Sequence, residues 1–139
     1  MKNISFHETK KQFRSHQKHV TRRGNANGPT WKNLKPGNQL MGCEKCQGLG
    51  KGGKIVKMGP ITILEVNTEP LSDIISNPQR DPPIPVWMQY HEVTITEVRL
   101  EGFPNLTPEK FVEMFCEMND CEPETEVTRI LFDYVGKVA

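Results

Sequence analysis

The chain has 139 residues, 35% of them apolar and 25% charged, with a formal net charge of +1. That length suits one domain able to bury a core without staples, and the composition is globular on the polar side. No apolar run is long enough for a membrane-spanning helix, and four cysteines in a chain of this class read as thiols, not a disulfide framework. The first residues, Met1-Lys2-Asn3-Ile4-Ser5, lack the apolar core of a secretory signal, so a cytoplasmic protein is expected.

The near-neutral total hides an asymmetry. Residues 1–58 carry 13 Lys and Arg against 2 Asp and Glu, whereas residues 59–139 carry 5 against 15. Two consequences are open. A solvated basic face would take a polyanion in a salt-dependent way. Alternatively, the two halves pack together and neutralise each other.

In chain order, Ser5-Phe6-His7-Glu8 has the spacing of a capping box, and a short helix is expected over about 6–15. Phe6 and Phe13 share its apolar stripe. Lys18-His19-Val20-Thr21-Arg22-Arg23 follows as a basic strand. Alternation puts Lys18, Val20 and Arg22 on one face and His19, Thr21 and Arg23 on the other. A bulge would bring Lys18, Thr21 and Arg23 together as an anion or carbonyl pocket. Without such a kink the run is an edge strand of solvated charges.

Residues 24–30 are a loop by composition, and Lys35-Pro36-Gly37-Asn38 carries the residues of a type II turn. A strand is expected over about 39–45. The stretch from Gly48 to Lys54 reads as a basic glycine-rich flap; it lacks the Gly-Lys-Ser/Thr of a phosphate-cradling loop. Residues 54–58 and 61–67 read as two strand segments broken by Gly59-Pro60. A short helix is expected at 71–76, then a Pro-rich insertion at about 78–91.

Thr94 or Thr96 caps a short helix over 94–101, ended by Gly102-Phe103-Pro104. Thr107-Pro108-Glu109 opens the clearest helix, with Thr as cap and Pro at the first helical position. Its core stripe is Phe111, Met114, Phe115 and Met118. Residues 127–135 close the chain as a strand with Ile130, Phe132 and Tyr134 on one face and Leu131 on the other. These elements give an α+β fold: a small, mostly antiparallel β-barrel decorated with short helices.

Lys18-x-x-Thr21-x-Arg23 after a short helix, then Leu34-Lys35-Pro36-Gly37, then Glu101-Gly102-Phe103 before a Thr-Pro-Glu helix, together resemble the ASCH family of PUA-like domains, in wording nearest its phage-encoded members. The resemblance covers most of the chain apart from the Pro-rich insertion. It implies a cleft that faces RNA, a nucleotide or a modified nucleoside. One branch is similar to amidohydrolases that deacylate acetylcytidine. Carried over, its catalytic residues are Lys18, Thr21 and Glu101, with Glu97 as the other carboxylate candidate. Arg22 and Arg23, extended by Lys35, Lys51 and Lys54, form the binding surface.

The residue chemistry fits both uses. A threonine hydroxyl needs a neighbour to take its proton. A lysine beside two arginines has its pKa lowered by like charge and becomes a usable base. Arg23 can grip a phosphate or a carbonyl. The same groups serve a pure binding pocket. A third function class is a protein acting on a host partner through the Pro-rich insertion.

The remaining motifs read blandly. Cys43-x-x-Cys46 sits at a strand end, not at a helix start, and Cys116 and Cys121 have the wrong spacing for a zinc ribbon. No metal site or cofactor is expected. His16 and His19 read as surface groups. Trp31 and Trp87 read as core or loop anchors before base-stacking platforms.

Overall fold

A computed structural model describes residues 1–24, 31–46, 49–50, 52–80 and 95–136. Lys51, Trp87, the 25–30 loop and most of the Pro-rich insertion, with the host-partner contact expected there, lie outside the described residues.

The strands are β1 (Lys2–Ser5), β2 (Val20–Gly24), β3 (Gln39–Cys43), β4 (Lys57–Pro70) and β5 (Glu126–Tyr134). The helices are α1 (Lys10–Arg14), α2 (Asp73–Ser76), α3 (Glu97–Leu100) and α4 (Pro108–Asn119). The strands form one sheet in the order β1-β3-β4-β5-β2; β1 pairs with β3 in parallel, and the other neighbours are antiparallel. The fold is α+β as expected, but the barrel is not closed. The sheet curls into a half-barrel whose two edges are β1 and β2.

The N-terminus is the first departure. Ser5 ends β1, paired with Cys43, and its hydroxyl donates to the Glu44 carbonyl at 3.3 Å. It caps nothing. A 3₁₀ turn at His7–Thr9 leads into α1 with no side-chain cap. A capping box and a short edge strand look alike until the partner strand, some forty residues on, is in place. Phe6 and Phe13 nonetheless stack at 4.6 Å between ring centroids.

The second departure is β4, which runs unbroken through Gly59-Pro60. Gly59 takes φ 154, and the register slips between its partner Gly42 and Cys43. The irregularity is thus a bulge in a continuous strand. The Pro60 carbonyl still accepts from Val135 N–H at 3.1 Å. The expected type II turn is present: Gly37 has φ 94, and Asn38 N–H donates to the Lys35 carbonyl at 3.0 Å.

The two faces of the sheet are packed differently. One buries Ile4, Phe6, Phe13, Leu40, Ile61, Ile63, Ile130, Phe132 and Tyr134. The other carries the helices: α2, α3 and α4 bury Leu71, Ile74, Val98, Phe111, Val112 and Phe115 with Val127. Thr96 caps α3 by accepting from Arg99 N–H, and Thr107 caps α4 by accepting from Lys110 N–H, each at 3.2 Å. No helix among the described residues is long and apolar enough to cross a membrane.

Candidate functional site

β2 pairs with β5 in an unbroken register, Val20 with Leu131 through Gly24 with Val127. Directly opposed antiparallel residues share a face. Val20 and Arg22 therefore lie on the helix face with Leu131 and Arg129, and Thr21 and Arg23 lie on the aromatic face with Ile130 and Thr128. The kink expected inside the basic run is absent.

The residues converge for another reason. β2 is a sheet edge, and a cleft of about 1120 Å³ opens beside it. Its lining includes Lys18, Thr21, Arg22, Arg23 and Gly24 from around β2, and Asn3 and Ser5 from β1. A closed barrel would pair these two edges. Here the Arg23 side chain crosses between them, its Nη2 donating to the Ser5 carbonyl at 2.5 Å. Because the cleft lies off the strand's edge, side chains from both faces of β2 border it. The opposite wall includes Phe103, Phe111, Met114 and Phe115 of the α4 region.

Lys18 precedes β2 and is almost fully buried. Its Nζ donates to the Glu101 carbonyl at 2.6 Å and to Glu101 Oε1 at 2.9 Å. Glu101 Oε2 accepts from Arg22 Nη1 at 2.9 Å, so one carboxylate is held by two cations. Tyr134 holds the segment from behind: its hydroxyl donates to the Lys18 carbonyl at 2.5 Å. Burial lowers the Lys18 pKa, outweighing the opposing pull of Glu101; Arg23 and Arg22 push the same way as burial. Burial likewise brings Arg23 down to about 10. Thr21 is buried to 4% exposure and lines the cleft.

Arg22 is engaged elsewhere. Arg22 Nη2 donates to Glu97 Oε1 at 2.6 Å and reaches Glu69 Oε2 at 3.5 Å. Burial works against its charge, but Glu101, Glu97 and Glu69 together raise its pKa, so it stays a cation. Glu97 also accepts from Arg129 Nε at 2.6 Å and Arg129 Nη2 at 3.0 Å. Arg22 and Arg129 oppose each other across the strand pair. Like charges there repel, and Glu97 is the carboxylate set between them.

Among the carboxylate candidates, Glu101 lines the cleft, and Glu97 sits in the ionic layer behind it. Lys35 and Lys54 are exposed and do not line the cleft. The charge asymmetry is partly resolved by packing, since Lys18 and Arg22 of the basic half pair with glutamates of the acidic half. Reading the sequence missed Tyr134 and Arg129. The signal for Arg129 was a charge in the middle of the closing strand, next to Ile130-Leu131-Phe132. His19, expected at the surface, is buried with Nδ1 3.2 Å from the Phe132 carbonyl, and His16 stacks on Tyr134 at 4.0 Å. Among the described residues no His, Cys, Asp and Glu side chains gather as a metal site.

No family model and no curated protein matches the chain. Two solved structures share its fold. The crystal structure of the hypothetical protein PH0355 has a TM-score of 0.56 at 10% identity, covering 96% of this chain and 95% of that one. The crystal structure of protein EF3133 from Enterococcus faecalis V583, of family DUF984, has a TM-score of 0.50 at 13% identity, covering 90% and 68%.

Proposed function

We propose that the chain is an ASCH-type, PUA-like domain whose cleft binds a modified nucleoside, free or within RNA, through Lys18, Thr21, Arg23 and Glu101. The observation that carries this reading is the buried Lys18–Glu101 pair, 2.9 Å apart, on the same cleft edge as Thr21 and Arg23. A free nucleoside carries no charge, and the cleft offers it paired polar groups beside the aromatic wall of Phe103, Phe111 and Phe115. A long polyanion is a poorer fit. Arg22 is neutralised by glutamates, and Lys35 and Lys54 lie away from the cleft.

Binding is tested by titrating the protein with cytidine, acetylcytidine and an RNA oligonucleotide carrying the modified base. Acetylcytidine is expected to bind, and Arg23→Ala to weaken it about tenfold, the loss of one charge-assisted hydrogen bond. RNA binding, where present, should fall as salt rises. No binding of any nucleoside or RNA by the folded protein removes the proposal.

A second reading, amide hydrolysis, is favoured by the lowered pKa of Lys18. Neutral Lys18 takes the Thr21 hydroxyl proton as Oγ1 attacks the acetyl carbonyl. The proton then goes to the leaving exocyclic amine, and water releases acetate from Thr21. Glu101 fixes the lysine. Thr21→Ala should abolish conversion of acetylcytidine to cytidine while retaining binding. The rate should rise with pH as Lys18 loses its proton. A folded protein that binds acetylcytidine and never turns it over leaves the binding function standing and ends this second reading.

A further inference from the structure

Helix α4 ends in a turn that brings two thiols together. Asp120 is left-handed at φ 49 and ψ 56, and Cys121 N–H donates to the Cys116 carbonyl at 3.2 Å. This is the helix stop in which residues five apart meet across the last turn, usually through an apolar contact. Here both positions are cysteine. Their sulfurs lie 3.8 Å apart, and both side chains are partly exposed. Cys121 lines the cleft, as do Met118, Asn119 and Asp120 before it. The other pair is less accessible: Cys43 is fully buried, bonds the Met41 carbonyl at 3.5 Å, and its thiol is pushed up to about 11 by burial and then by Cys46.

We propose that Cys116 and Cys121 are a redox modification site, forming a reversible intramolecular disulfide by exchange with a small-molecule disulfide such as oxidised glutathione. The sulfurs must close to about 2.05 Å, a side-chain movement that the existing backbone turn permits. The Cys121 thiolate attacks one sulfur of the oxidant. A mixed disulfide forms and one thiolate leaves. Cys116 then releases its proton to solvent and attacks the Cys121 sulfur, expelling the second thiolate. The protein loses two protons and two electrons, and the oxidant becomes two thiols.

Burial first, then Cys121 and the carboxylates of Glu122 and Glu124, push Cys116 up to about 11. Cys116 must therefore lose its proton before it can close the bridge. The product is a staple across the end of α4, covalently fixing one lip of the cleft whatever the cleft holds.

The test incubates the full chain with oxidised glutathione, quenches in acid, alkylates the free thiols and maps the peptides by mass. A peptide joining Cys116 to Cys121 is expected, with Cys43 still alkylated. Bridge formation should speed as pH rises, because each thiol attacks as its thiolate. Cys116→Ser should trap a glutathione adduct on Cys121, and reduced glutathione should restore both wild-type thiols. Free Cys116 and Cys121 after incubation, a Cys43–Cys46 bridge in their place, or a bridge between two molecules would each overturn the proposal. The wild-type map alone decides, should the variant fail to fold.

Discussion

Both faces of the sheet bury an apolar cluster, but the helix face also buries a layer of paired charges. On one face, Phe6, Phe13, Phe132 and Tyr134 meet through ring contacts of 4.6 to 6.2 Å. On the other, Arg22 and Arg129 lie side by side, neutralised by Glu97, Glu69, Glu101 and Glu65. The apolar face is held by exclusion of water, which asks only for suitable volume. The ionic face asks for particular partners. Each buried charge costs several kcal/mol to desolvate, which only its counter-charges and hydrogen bonds offset. Even so, Arg22 Nε finds no acceptor among the described residues. The costlier face is the one that delivers Glu101 and Lys18 to the cleft. This is consistent with a layer kept for positioning more than for stability.

The largest test removes the centre of that layer. Glu97→Ala leaves two buried arginines short of a partner and should cost about 3–5 kcal/mol in urea unfolding. Replacing Arg22, Glu97 and Arg129 together by apolar residues of similar volume should cost less than the single change, because Glu101 keeps Lys18 and Glu69 keeps Arg80. A triple variant as damaged as the single one would show that the layer stabilises outright. pH separates the faces further. Burial raises the Glu97 pKa, but the bonds from Arg129 and the charges of Arg22 and Arg129 outweigh it and hold the carboxylate below its ordinary value. Its contribution is present above the unfolded value of about 4.3 and is lost as pH falls through the folded value. The stability gap between wild type and Glu97→Gln should therefore narrow in acid. The gap for a core variant such as Ile63→Val should not.

A smaller effect is expected on the apolar face. A Cβ at Gly42 would sit 2.3 Å from the Phe13 ring. Gly42→Ala should cost about 1–3 kcal/mol through overpacking, read as a shift of the urea midpoint at unchanged slope. Smallest is Thr96→Ala, which removes the cap of α3 and should cost about 1 kcal/mol. If that cap also sets where Glu97 and Glu101 stand, Thr96→Ala should weaken nucleoside binding as well as stability.

The helices α2, α3 and α4, and the threonine caps of α3 and α4, were legible because their signals are local. So were β5, with Ile130, Phe132 and Tyr134 on one face, and the turn at Lys35–Asn38. What failed was long-range. Ser5 became a strand residue once β3 lay beside it. Gly59-Pro60 bent β4 without breaking it because strands on both sides hold it. The candidate site divides along the same line. Lys18, Thr21 and Arg23 could be named from one short run, but the mechanism expected to gather them, a bulge, is not the one used.

Residue order alone settled the stripe of β5, most of that of α4 (Met118, expected in it, is exposed), the helix stops and the presence of a concentrated basic run, because each depends on neighbours a few positions away. Tertiary structure decided that the sheet stays open and that its open seam is the cleft. It also decided that Arg22 is spent on Glu97 and Glu101, 75 and 79 residues further on. A charge shows its type in the sequence, but its partner depends on which strands and helices fold against it.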